Sequence, residues 1–205
     1  MWNEMTLSEF VARTASADPT PGGGSIAALT ASSGAGLIGM LASLTVNKVG
    51  YEACWKKMDL VAKEMSKQAQ TFLEFIQQDV DVFNEYMAVL KMPKDTDEQK
   101  ADRSSKLQVA VIKATEVPLN LAWECYRLFD VAEYVVENGN KGATSDGAIA
   151  VMLLKTAALA ALYNVKINLP SIKDEALAKK FQAHIKEIEK DAAKREKEIL
   201  SKVNF

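Results

Sequence analysis

Two cysteines and one histidine are all that the 205 residues offer of the side chains that most often hold metals. Cys54 and Cys125 are far apart and form no CxxC pair, so neither a disulfide framework nor a zinc cluster is suggested. A lone His184 excludes HExxH and any histidine-rich metal centre. Surplus charge is missing as well: 25 Lys and Arg stand against 27 Asp and Glu, for a net charge of -2 and a pI near 5.6. A nucleic-acid binder would carry a basic excess, so that class is set aside. Strand signals are nearly absent. The opening "MWNEMTLSEF" has neither the basic region nor the apolar region of a signal peptide, and a cytoplasmic location is expected.

Charge is wholly missing from one segment, residues 26–46, "IAALTASSGAGLIGMLASLTV". Its length would span a bilayer. Its many small residues instead favour close packing against other helices, so a buried helix is expected and no membrane partner.

What is present is ordinary globular composition, 48% hydrophobic and 25% charged, in a chain long enough for one good core. The helical period dominates. Thr6 is placed to cap a short helix over 7–14, and the uncharged helix starts near Ser25. A long helix is predicted from about Glu52 to Leu90, and Thr96 with Gln99 forms a capping-box pattern for the next. Pro118 in "EVPLN" reads as the first turn of a restarted helix. A turn-rich gap, 137–146, precedes an Ala/Leu-rich helix to Tyr163, and a charged amphipathic helix begins near Asp174. The expectation is an all-α, single-domain bundle over 1–205, with six or seven helices, a long central helix and no internal repeat.

Several residues break their own pattern. Phe72, Ile76, Asp79, Phe83 and Met87 are spaced 4, 3, 4 and 4, so Asp79 sits where an apolar side chain belongs. A buried carboxylate is costly unless partnered, and burial raises its pKa. Asp79 is therefore either a structural charge or a proton-transfer group. Arg103 lies similarly on the apolar side of its helix, ahead of Leu107 and Ala110. Lys48 closes the uncharged helix, where it is either a simple dipole-matched cation or a ligand contact. Ser145 and Asp146 stand at a helix start, a common N-cap position. Asn164 and Asn168 share a face in either a helix or an extended segment. They can read the edge of a heterocycle or tie down irregular backbone.

"PTPGGGS", residues 19–25, is the remaining oddity. Gly22, Gly23, Gly24 and Ser25 lead into a G-x-G-x-x-A match, but no strand precedes it and no GK[ST] follows, so both nucleotide motifs are rejected. What survives is a backbone that something approaches closely, at a helix N-terminus with free N–H donors.

Taken together and in this order, "PTPGGGSIAAL", "LTVNK", "QDVDVF", "LKMPKDTDEQKADR", "EVPLNLA", "SD" and "NVKINL" resemble the cyclodeaminase/cyclohydrolase family. The resemblance covers about Leu7 to Asp174. It implies an all-helical subunit that forms a homodimer and binds a tetrahydrofolate one-carbon derivative, with no other cofactor and no metal. No transferase portion is recognised, so a stand-alone enzyme is expected. Asn47 stands where a glycine is common, and "SDGAIA" moves a glycine relative to the usual order.

By that resemblance Asp79, Asp146 and Lys48 are the catalytic candidates. Gly22, Gly23, Gly24, Ser25, Arg103, Ser145, Asn164 and Asn168 are the substrate-binding ones. Asp79 would move the proton with Asp146 in reserve, Lys48 and Arg103 would hold carboxylates or steer protonation, and the Asn pair and glycine loop would grip the pterin. Hydrolysis of 5,10-methenyltetrahydrofolate to 10-formyltetrahydrofolate is the preferred expectation. Cyclodeamination of formimidoyltetrahydrofolate is the alternative, and a silent ligand-binding dimer is the alternative of another class.

Overall fold

The computed structural model describes residues 2–203. Six α-helices carry the chain: α1 Leu7–Thr14, α2 Gly23–Ser43, α3 Trp55–Leu90, α4 Asp97–Asn138, α5 Thr144–Asn168 and α6 Glu175–Leu200. No strand occurs among the described residues. The first and fourth start as their sequence dictates. Thr6 with Glu9, and Thr96 with Gln99, form reciprocal capping boxes that satisfy backbone donors otherwise left without partners.

Helices α2, α3, α4 and α5 form the four walls of a bundle, each antiparallel to its neighbours. Gly24 meets Asp79 and Gly39 meets Met65 where α2 crosses α3, while Gly34 meets Leu154 and Gly147 meets Leu41 where α2 runs beside α5. Small residues allow these approaches: a Cβ on Gly34 would lie 3.2 Å from Leu154. Phe72, Phe129, Ile38, Leu154 and Leu162 fill the space between the walls and are essentially inaccessible to water, each burial contributing about 1.5–3 kcal/mol. The expected single central helix is not what forms, because all four walls keep an exposed side.

By length and composition, α2 and the stretch 141–171 are apolar enough to cross a membrane. Each buries its inward side in the bundle instead, against the other walls. The last helix, α6, lies outside α4 and α5. Trp123 Nε1 donates to His184 Nδ1 at 2.9 Å, Lys155 pairs with Glu196, and Lys166 pairs with Glu189.

Pro118 does not restart a helix. It sits inside α4, which runs unbroken through it. Proline has no N–H to give the carbonyl four residues back, so Ala114 O is orphaned. Asn168, at the end of α5, donates its Nδ2 to that carbonyl at 3.0 Å. The side chain from a neighbouring helix replaces the missing bond, and the helix survives. Helix α5 correspondingly extends past Tyr163 to Asn168.

Candidate active site

The cleft is built where the N-terminus of α2 meets the middle of α3. Gly22 is the N-cap of α2 and has no side chain with which to cap it. Asp79 reaches across from α3 to this end of the helix, where Ser25 Oγ donates to Asp79 Oδ2 at 2.8 Å. Ser25 is fully buried. Gly24 is needed for the approach, because a Cβ there would lie 2.1 Å from Asp79 Oδ1. Burial pushes the Asp79 carboxyl above its usual range, and the Ser25 hydroxyl and the nearby Ser25 backbone N–H pull partly back.

Asp79 faces a cavity of about 380 Å³, within the range of small-molecule sites. Val82, Phe83 and Tyr86 of α3 form one wall, Ala114 of α4 another, and Asn164, Ile167 and Asn168 of α5 a third, with Ser171 at the rim. Asn168 spends its Nδ2 on Ala114 O, and Asn164 spends its own on Ala160 O at 3.1 Å. The side-chain oxygens of both accept no hydrogen bond from any described residue. The cleft thus presents two amide oxygens and a carboxylate, all acceptors, against an aromatic wall. Among the described residues no Lys or Arg lines it.

The structure divides the predicted residues. Gly24, Ser25, Asp79, Asn164 and Asn168 come together, and Gly23 lies beside them, where a Cβ would stand 3.9 Å from Asn164 Nδ2. Gly22 stands back as the N-cap, against Pro19 O.

Arg103 is elsewhere. Its Nη2 donates to Leu90 O, the last carbonyl of α3, at 3.1 Å. It is a C-terminal cap of α3, 11 residues and about 16 Å of helix away from Asp79. Lys48, Ser145 and Asp146 sit at the opposite end of the bundle. Lys48 does not close α2, which ends at Ser43; it is an exposed turn residue whose carbonyl accepts from Trp55 Nε1 at 3.0 Å. Ser145 and Asp146 do not cap α5 either. Ala143 holds the N-cap position, and both fall in the first turn, where Asp146 matches the helix dipole.

The residues that sequence reasoning missed are Tyr86, Val82, Ala114, Ile167 and Ser171. Val82 and Tyr86 carried a usable signal, three and seven residues from Asp79 and hence on its face.

A helical bundle with an acceptor-lined cleft around one cation-free carboxylate is the class that fold and site define. The profile of the family described as Formiminotransferase-cyclodeaminase matches residues 6–187, and the chain belongs to that family. A methenyltetrahydrofolate cyclohydrolase of Methylorubrum extorquens is 35% identical over 184 residues, 90% of this chain and 87% of that protein. A formimidoyltransferase-cyclodeaminase of Sus scrofa is 30% identical over 91% of this chain, which spans only 34% of that longer protein. The crystal structure of a formiminotetrahydrofolate cyclodeaminase from Thermotoga maritima superposes with a TM-score of 0.89 at 25% identity, covering 99% of this chain and 98% of that one.

Proposed function

We propose that this protein hydrolyses 5,10-methenyltetrahydrofolate to 10-formyltetrahydrofolate. The observation that carries the reading is the cation-free, partly buried Asp79 in an acceptor-lined cleft. A methenyl bridge is an amidinium cation, and a carboxylate held without a competing Lys or Arg stabilises it directly. The pterin edge, rich in N–H donors, suits the two free amide oxygens of Asn164 and Asn168. Phe83 and Tyr86 offer the ring system an apolar wall.

In this reaction water adds to the carbon bridging N5 and N10, and its proton passes to Asp79. The carbon–N5 bond then breaks, and Asp79 returns the proton to N5. One further proton, from the hydroxyl that becomes the formyl carbonyl, is released to solvent. No covalent intermediate is required. The raised pKa of Asp79 suits it to take a proton near neutral pH.

The greater coverage of a cyclohydrolase relative supports hydrolysis. The structural likeness to a cyclodeaminase supports a second reading, in which N10 attacks the N5-formimidoyl carbon and ammonia leaves. Both use the same carbon and the same proton traffic. The same reading includes a homodimer in the cytoplasm.

The test is the decay of methenyltetrahydrofolate absorbance near neutral pH against a buffer blank, with ammonia release from formimidoyltetrahydrofolate assayed in parallel. Accelerated decay without ammonia supports hydrolysis. Ammonia release moves the assignment to cyclodeamination, and no turnover of either compound leaves a binder.

A further inference from the structure

Helix α4 keeps a proline in its interior, a position that helices rarely tolerate. Pro118 is buried and is not among the residues that line the Asp79 cavity. Ala114, one turn earlier, does line it. Its carbonyl is the one that Pro118 leaves without an N–H, and Asn168 Nδ2 fills the gap at 3.0 Å.

That single bond decides more than the integrity of α4. An asparagine amide is ambivalent, with a donor on one arm and an acceptor on the other, and can meet a ligand in either sense. A carbonyl oxygen only accepts. The arm of Asn168 that faces Ala114 O must therefore be the NH2, and Oδ1 is the arm left for the cavity that Asn168 lines. Turned over, the amide would set oxygen against oxygen and leave Ala114 O with no donor at all. Both losses fall in a part-buried place, where an unmade bond is expensive.

Asn164, the other amide in the cleft, shows what the hold would be without a proline. Its Nδ2 donates to Ala160 O at 3.1 Å, within its own helix. Ala160 O already receives the backbone N–H one turn on, as in any α-helix. Turning the Asn164 amide over gives up a shared bond but orphans no carbonyl. The hold on Asn168 is one-sided because its acceptor has no other donor.

We propose that Pro118 is a positioning residue for the cleft. By withholding its N–H it locks the Asn168 amide with the oxygen inward, so that this wall accepts from ligand N–H groups and disfavours ligand oxygens. Pro118 acts through Ala114 and Asn168 and need not touch the ligand. The ligand class, a heterocycle edge carrying N–H donors, rests on the folate reading; the lock does not.

The test restores the missing N–H with Pro118→Ala and with Pro118→Val, the latter closer to proline in volume. In ¹⁵N-labelled, ligand-free protein the Asn168 side-chain NH2 signals are assigned by their loss in Asn168→Ala. In wild type they should exchange with water more slowly than those of Asn164. In both Pro118 variants they should exchange several-fold faster, with the Asn164 signals unchanged. The KM for methenyltetrahydrofolate should rise by about 2–10-fold, the weight of one neutral hydrogen bond. The kcat should stay close to wild type, because Asp79 and its Ser25 bond are untouched. A proline with a merely structural role would shift the melting temperature and leave both the Asn168 signals and this KM-against-kcat split alone. Asn168 exchanging as fast as Asn164 in wild type, or unchanged in a folded Pro118 variant, overturns the lock. Faster exchange with an unchanged KM overturns its part in recognition. A wild-type protein inactive on both folates removes the functional reading, while the exchange measurement still decides the lock.

Discussion

Asp79 and Glu133 are both carboxylates set between helices, and their surroundings drive them in opposite directions. Glu133 lies in the seam between α4 and the C-terminal helix, bonded to Lys202 and paired with Arg195 at 2.9 Å. The Lys202 bond first, and Arg195 after it, hold its carboxyl below the usual range. The rest of that seam is equally well matched. Tyr126 donates to Asp191 at 2.5 Å, which pushes the Tyr126 hydroxyl up to about 12, and His184 accepts from Trp123. Asp79 has a serine where Glu133 has two cations, and its pKa rises instead. The seam neutralises its charges to hold a helix in place. The cleft keeps one carboxylate short of partners, and that is what makes it chemically available.

The sharpest way to break this contrast is Asp79→Asn. The rate of methenyl hydrolysis should fall by about 10²–10⁴-fold, with affinity for the methenyl cation weakened and affinity for an uncharged folate changed little. Stability should respond with the opposite sign. A carboxyl whose folded pKa is raised favours the fold when protonated; that contribution is complete below the unfolded value and is lost as pH rises through the folded one. The ionised form therefore burdens the fold at neutral pH, and the Asn variant should melt no lower than wild type there. A normal rate removes Asp79 from the mechanism. Gly24→Ala comes next. Its new methyl must displace the carboxylate, and a misplacement of that order costs about 10²-fold in kcat/KM.

Asn168→Ala should leave Ala114 O without a partner and destabilise by about 1–3 kcal/mol. In a Pro118→Ala background the restored N–H serves that carbonyl, and the penalty should shrink. Equal penalties in denaturant titrations of the two backgrounds would contradict the repair role. Glu133→Gln should matter least, by under about 1 kcal/mol, because water still reaches this part-exposed pair, with the reaction rate unchanged. A rate loss there would erase the distinction between seam and cleft.

Local features were legible in the chain: both capping boxes, the uncharged helix, the long helix ending at Leu90, and the misfit of Asp79 on its apolar stripe. The glycine loop declared that something approaches its backbone, and the structure supplies Asp79. What periodicity does not contain is which helix ends meet. Arg103 broke its stripe as visibly as Asp79 did, yet it finds a carbonyl at a helix terminus rather than the cleft. Lys48, Ser145 and Asp146 lie at the far end because α2 spans the whole bundle. Pro118 misled for a related reason: the bond that rescues α4 comes from Asn168, 50 residues further on.

The most direct measurement is a ¹³C NMR titration of the Asp79 side-chain carboxyl in the wild-type protein and in Ser25→Ala. The account predicts a midpoint above the ordinary aspartate value of 3.8 in wild type and a higher one once the serine hydroxyl is gone. A midpoint at or below 3.8, unmoved by the substitution, would contradict it.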